Sequence, residues 1–184
     1  MKKTVLTIAM MVAAATGVFA QKYMTRTAKV SFDATAQGSP EDIKAINNEV
    51  SNILDGKTGE MVFQVPVKSF KFERALMQEH FNENYMESDK YPKAEFKGAV
   101  TNLAGADFSK DGNFEVKVTG KLTIHGVTND VTVPGSVTVK GTSVTLKAKF
   151  VAKLIDYKIE VPGVVADKVG KQAIIAIEST LAQK

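Results

Sequence analysis

Apolar and polar residues alternate along most of the chain with a period of two, as expected for strands with one buried face. We therefore predict an all-β fold with turns at sites such as Asp55-Gly56 and His125-Gly126. Pro66 and Pro134 fall inside predicted strands and indicate edges, bulges or strand breaks. The predicted strands are approximately 24–35, 43–54, 59–67, 93–103, 113–124, 128–139, 142–153 and 171–182.

The later strands indicate how the sheet is arranged. Three consecutive strands each carry apolar residues on one face, and lysines mark the other face of the first and third, as with Val116 and Val118 against Lys117. One helix is too small to cover three long apolar faces. A sheet that closes on itself buries these faces and removes exposed edges, so we predict an eight-stranded antiparallel β-barrel.

The content of such a barrel stays open at this point. Eight strands enclose an interior that is either filled by side chains or holds one small ligand. Gly98, Gly120 and Ala148 occupy predicted inward positions beside several phenylalanines. Small residues leave space for a ligand, but they also fit the taper of a filled barrel.

Residues 72–85 break the alternation, because their apolar residues recur at spacings of three to five, as along one side of a helix. We predict one short helix near the barrel mouth whose inward side carries Phe72, Leu76, Met77 and Phe81. Methionine adapts readily to different neighbours. This helix is therefore either a lid that admits an apolar chain or a plug that completes the core.

The first twenty residues resemble an export signal. Lys2 and Lys3 precede an apolar run, and Val18 and Ala20 suit the −3 and −1 positions of a cleavage site. We predict a cleaved signal peptide over 1–20 and one barrel domain over 21–184. The apolar run is too short for stable membrane insertion, and the chain has no cysteine for a lipid anchor. We therefore expect a soluble periplasmic protein, with its oligomeric state undetermined.

The charge of the chain argues against nucleic acid as a partner. Its formal net charge is +4, and two of the lysines lie in the predicted signal peptide. The remaining 22 basic and 20 acidic residues are nearly balanced and form no basic cluster.

The sequence lacks the common catalytic motifs, including a phosphate-binding loop, a nucleophile elbow and a zinc-protease helix. His80 and His125 are far apart, so we expect structural roles and no metal site. Glu79 and Glu83 lie one turn apart on the polar side of the predicted helix, where solvation is expected. We predict no catalytic residue, no metal and no cofactor, and therefore not an enzyme.

Three blocks, residues 62–98, 118–134 and 154–162, resemble the YceI-like family in sequence and order. The closest correspondence is in YPKAEF, residues 91–96, and in the hairpin 120–128. The resemblance implies an exported, lipocalin-like barrel that accepts an isoprenoid or another apolar lipid. Many members of the family carry an arginine where this chain has Tyr157, so any role of that arginine in head-group recognition is not carried over.

The leading hypothesis is carriage or sequestration of an apolar lipid, of polyprenyl or quinone type, inside the barrel and without catalysis. Strand parity predicts the residues that line the lipid cavity: Phe32, Met61, Phe63, Val65, Phe96, Val100, Phe114, Val116, Val133, Phe150 and Ala152.

Two alternatives remain. One is a filled barrel that serves as a structural or interaction module and takes no ligand. The other is an enzyme for a small hydrophobic substrate, which needs a polar pair pointing into the barrel. Glu178 is a candidate for such a pair, since it shares the parity of Ile174 and Ala176.

Overall fold

The computed structural model describes residues 21–102 and 107–184, so the predicted signal peptide, residues 1–20, lies outside the described residues. The described residues form nine strands. They are β1 (Lys22–Thr35), β2 (Lys44–Asp55), β3 (Glu60–Pro66), β4 (Lys71–Phe72), β5 (Lys93–Val100), β6 (Gly112–Ile124), β7 (Val127–Lys140), β8 (Ser143–Lys153) and β9 (Val169–Gln183).

The helical part of the described chain is small. One α-helix, α1, covers Ala75–His80 and continues into a wider π-type turn at Phe81–Tyr85. Short 3-10 turns lie at Val67–Ser69, Leu154–Tyr157 and Gly163–Val165. No helix in residues 21–102 or 107–184 is long and apolar enough to cross a membrane.

The eight long strands close into an antiparallel barrel, which confirms the predicted fold. Going round the barrel, the order is β1, β2, β3, β5, β6, β7, β8 and β9. Closure comes from β1, which pairs with β2 on one side and with β9 on the other. The two-residue strand β4, which was not predicted, adds to β2 through the pair Ala45 and Phe72.

The closing strand β1 is irregular. Its pairing with β2 shifts register between Thr25 and Ala28 and again between Ala28 and Val30. Its pairing with β9 shifts between Met24 and Lys29. Bulges of this kind bend a strand and increase its twist, which allows a sheet to turn back on itself.

The ladder between β7 and β8 is incomplete. It joins residues 135–140 to 143–148, although β7 begins at Val127 and β8 runs to Lys153. The ladder ends next to Pro134, which has no backbone N–H to donate to the following rung. This explains the strand break that the proline indicated. We call the unjoined stretch between 127–134 and 149–153 the seam.

One end of the barrel is sealed by large side chains. Tyr23, Leu54 and Leu181 are fully buried there, and Phe108 covers them from the β5–β6 connection. The Tyr23 hydroxyl donates a hydrogen bond to the carbonyl oxygen of Phe108 over 3.2 Å, and burial raises the pKa of this phenol. We call this the closed end.

The opposite end, the mouth, is covered by three chain segments: 67–92 with α1, the hairpin turn at His125-Gly126, and 154–168. The helix α1, which breaks the strand pattern, therefore lies over the mouth of the barrel.

Candidate functional site

The half of the barrel nearest the mouth is hollow. It contains a cavity of about 190 Å³ that is lined by β1, β3, β5, β6, β7, β8 and β9 and by the mouth segments. A void able to hold one water molecule needs about 10–15 Å³ on a comparable measure. Valine, phenylalanine and other apolar side chains form nearly all of the lining.

The structure places nine of the eleven predicted lining residues around this cavity: Phe32, Met61, Phe63, Val65, Phe96, Val116, Val133, Phe150 and Ala152. Val100 and Phe114 do not line it. They pack into the main hydrophobic core nearer the closed end. The alternation along the strands correctly places both side chains on the inward face. At this height, however, the barrel is filled with packed side chains.

The π-type turn that follows α1 meets the cavity through one aromatic residue. Phe81 lines the cavity and contacts Phe32, Phe70 and Phe72, with ring centroids 5.5, 5.5 and 5.0 Å from its own. Phe72 lies on β4 rather than on the helix, and its ring packs against those of Phe32 and Phe81. These four phenylalanines form a cluster above one side of the cavity.

Leu76 corrects the prediction for this helix, because its side chain is 62% exposed and faces away from the barrel. Met77 and Gln78 are half-buried, as is Phe81. Positions 77, 78 and 81 share one side of a helix, and position 76 falls roughly opposite their centre at about 100° per residue. Phe72 shaped the predicted pattern, but it precedes the helix.

Several lining residues were missed because they belong to segments without strand periodicity. Val67, Phe70, Met86, Tyr157 and Ile159 line the cavity from the mouth segments. Alternation of apolar and polar residues predicts an inward or outward orientation only within a strand. No other local sequence pattern indicates that these five side chains face the cavity. Burial raises the pKa of the Tyr157 phenol.

His125 holds the three mouth segments together. Its Nε2 lies 2.7 Å from Glu87 Oε2, and its Nδ1 lies 3.2 Å from the carbonyl oxygen of Tyr157. The Tyr91 ring packs edge-on against the imidazole, with centroids 4.7 Å apart. His125 is in the left-handed region at φ 50°, as the first residue of a two-residue hairpin turn.

The polar candidates for chemistry do not converge on the cavity. Glu178 faces outward and forms an ion pair with Lys147 at 3.1 Å, so its predicted inward orientation was wrong. Its neighbours Ile177 and Ser179 carry the inward parity of β9 instead. His80 is exposed on α1, and the described residues contain no group of three or more potential metal ligands.

Comparisons with known proteins agree with this architecture. A sequence model of the YceI-like domain matches residues 4–181. A search of curated protein sequences gave no significant match.

Among solved structures, a polyisoprenoid-binding domain from Saccharophagus degradans superposes with a TM-score of 0.76 at 14% identity, covering 90% of this chain and 99% of that one. Burkholderia cenocepacia BcnA gives 0.68 at 21% identity over 84% and 96%. A Campylobacter jejuni YceI protein gives 0.57 at 17% identity over 78% and 86%. At these identities the superpositions show a shared fold, and together with the match over 4–181 they lead to one conclusion: the chain belongs to the YceI-like family.

Proposed function

We propose that this protein binds an apolar lipid chain, an isoprenoid of polyprenyl or quinone type, inside its barrel and carries or sequesters it without catalysing a reaction. The observation that carries the proposal is the hollow, almost wholly apolar interior beneath the mouth. The polyisoprenoid-binding domain from Saccharophagus degradans, with the same fold, supports this class of ligand.

The energetics favour a long hydrocarbon chain. Each CH₂ group moved from water into an apolar site contributes about 0.8 kcal/mol before ordering costs. A five-carbon isoprene unit therefore strengthens binding substantially for as long as the cavity has room for it. No charged or catalytic group is needed for such binding.

The place of action belongs to the same proposal. We propose that residues 1–20 direct export to the periplasm and are removed, leaving 21–184 as one binding domain. A lipid carrier is useful in that setting, because a free isoprenoid chain is insoluble in the aqueous space.

The proposal is tested first on protein purified from its native compartment without detergent. Native mass spectrometry is expected to show a discrete bound mass, and an organic extract of the same sample is expected to contain an isoprenoid. Purified protein is then titrated with prenols of two, three and four isoprene units. We expect the affinity to rise with chain length and then to level off.

A matched pair of variants shows whether the ligand occupies the cavity. Val133→Trp fills the interior, whereas Thr132→Trp places the same side chain on the outer face of the same strand. We expect the first variant to lose prenol binding and the second to keep it. Ala152→Leu provides a smaller cavity-filling change if the tryptophan disturbs folding. An empty protein that takes up no prenol refutes the proposal and favours the ligand-free interaction module.

A further inference from the structure

The most exposed apolar side chains of the described barrel lie at its mouth. Val164 is 89% exposed, Ile155 68% and Leu76 62%, and no other large apolar side chain among the described residues is as exposed as these three. All three belong to segments that cover the mouth, Leu76 to 67–92 and the other two to 154–168. Exposed apolar side chains gathered at one end of a molecule indicate an interaction surface there.

Glu41, in the connection between β1 and β2, links the two segments that carry these side chains. One of its carboxylate oxygens accepts a hydrogen bond from Arg74, which lies two residues before Leu76. Its other carboxylate oxygen lies 3.3 Å from Nζ of Lys168, four residues after Val164. Leu76 and Val164 therefore project from neighbouring parts of the cover.

The apolar surface continues from Ile155 onto the barrel wall. Val151 on β8 and Ile174 on β9 are directly opposite each other on the outer face of the barrel, and they are 52% and 39% exposed. The turn that carries Ile155 begins at the residue after the end of β8. We call the surface formed by Leu76, Ile155, Val164, Val151 and Ile174 the mouth face.

The charges near Ile155 and Val164 are of both signs and are balanced. Six exposed charged residues lie close to them in the chain: Lys153, Lys158, Lys171, Asp156, Glu160 and Asp167. None of the six forms an ion pair with another described residue. Free ammonium and carboxylate groups together complement a zwitterionic lipid headgroup, which carries one phosphate and one ammonium group. Lysine stems can also lie along apolar surface while their charged ends stay in the headgroup layer.

The shape of the mouth face favours a bilayer over a protein partner. Leu76, Ile155 and Val164 project from three separate short elements, namely α1 and the 3-10 turns Leu154–Tyr157 and Gly163–Val165. Separate apolar side chains can each insert between lipid headgroups, whereas a stable protein interface needs a continuous packed centre. These side chains also surround the entrance to an apolar cavity.

We infer that the mouth face docks reversibly on a zwitterionic lipid bilayer through Leu76, Ile155 and Val164, and that the cavity exchanges its lipid with the membrane in this docked state. The exchange step rests on the proposed function and deepens it. Docking lets an apolar chain pass between bilayer and cavity without crossing water. Because three side chains bury little apolar area, the docking is weak and the protein returns to solution.

Docking is tested with a single tryptophan as reporter, because the chain contains none. Val164→Trp places the reporter on the mouth face, and Ile53→Trp places it beside the closed end, where Ile53 is 48% exposed. Both proteins, free of prenol, are mixed with phosphatidylcholine vesicles. We expect the emission of Val164→Trp to shift to shorter wavelengths and to be quenched by brominated lipid. The emission of Ile53→Trp should stay as it is in buffer.

Added salt should leave this shift unchanged, because insertion of apolar side chains and not net charge drives the docking. A shift that requires anionic lipid and disappears in salt would indicate electrostatic adsorption and would overturn the inference. Equal shifts in the two variants, or no shift in Val164→Trp, would overturn it as well.

The exchange step is tested by following farnesol from loaded protein to acceptor vesicles. A variant that combines Leu76→Ser, Ile155→Ser and Val164→Ser should transfer farnesol about tenfold more slowly than the wild type, since it loses the apolar area that inserts. Ile53→Ser is the control and should transfer at the wild-type rate. None of the three mouth residues lines the cavity, so the affinity for farnesol in solution should be unchanged.

The possible failures can be told apart. Equal transfer rates in the triple variant and the wild type overturn the inference while farnesol binding, and with it the proposed function, stands. If Val164→Trp docks on vesicles but the protein takes up no farnesol, the proposed function and the exchange step fail, and the docking surface stands.

Discussion

At the scale of single residues, a pair of glycines brings two strands unusually close. Gly98 on β5 and Gly120 on β6 are directly opposite each other, and the Phe96 ring lies over both. A Cβ at Gly120 would lie 2.8 Å from Phe96 Cζ and would overlap the backbone of Lys97 and Gly98. The aromatic ring covers the backbone that two glycines leave bare, a device that stabilises curved sheets.

Gly120→Ala is therefore expected to lower the free energy of unfolding by about 2–3 kcal/mol, since the added methyl meets backbone that cannot move aside. Urea denaturation measures the change. Gly163→Ala is the control, because a Cβ there meets no atom within 4 Å. We expect it to stay within about 0.5 kcal/mol of the wild type. Similar losses in the two variants would contradict the steric explanation.

At the scale of elements, the mouth helix joins the barrel through few contacts. Its six residues include no buried side chain, and Phe81 in the following turn makes the main aromatic contacts. The sequence spacing predicted this helix and its position near the mouth. It did not predict the helix orientation, because Phe72 belongs to β4 and the helix is too short for its apolar stripe to be unambiguous.

Phe81→Ala and Leu76→Ala are expected to differ sharply. Removing Phe81 breaks a cluster of four rings, so we expect a loss of about 2–3 kcal/mol in unfolding free energy. Leu76 is mostly exposed, and its replacement should change stability by less than about 0.5 kcal/mol. Thermal and urea denaturation of both variants test this. A comparable loss in Leu76→Ala would mean that this side chain packs against the barrel.

Prenol titration of the same two variants separates the lid from the plug. If Phe81→Ala loses prenol affinity beyond its change in stability, the helix acts as a lid on the ligand. If stability falls and the affinity of the remaining folded protein is unchanged, the helix is a plug.

The seam between β7 and β8 is a second feature at this scale, and it borders the cavity through Val131 on one side and Phe150 on the other. Alternate residues of β8 direct their amides toward β7. The amides of Lys149 and Val151 face the seam, where the ladder has ended, whereas those of Thr145 and Lys147 face paired backbone.

Hydrogen exchange is expected to be faster at Lys149 and Val151 than at Thr145 and Lys147, because backbone amides without a ladder partner open more readily. Pro134→Thr restores the missing N–H and should slow exchange at Lys149. Uniform protection along β8, or no effect of Pro134→Thr, would show that the strands pair there in solution.

At the scale of the whole molecule, the sequence predicted most of the barrel and little of its ends. Long, regular strands such as β6 and β8 can be predicted from the sequence alone, because every second residue points to the same buried face and is apolar. Barrel closure followed from the number of such faces. Eight of the nine predicted residues that line the cavity lie on β3, β5, β6, β7 and β8, and Phe32 lies on the irregular strand β1.

The remaining features depend on contacts between distant parts of the chain. The hydrogen bond between the buried side chains of Asn52 on β2 and Ser179 on β9 requires β1 to bulge between them, and no local pattern signals that bulge. The sequence predicts only a turn at His125, yet this side chain contacts Glu87 and Tyr157, which belong to the two other mouth segments. Such contacts exist only after the strands have closed into a ring.

The pairing of the chain ends has a practical consequence. The backbone N–H of Lys184 donates to the carbonyl oxygen of Lys22 over 2.9 Å, so both ends of the described barrel lie beside the closed end. An affinity tag or surface tether attached at Lys184 therefore holds the molecule by its base and leaves the mouth pointing away from the support. Immobilised in this way, every copy presents the same face, and uptake from solution can be followed without the attachment obstructing the entrance.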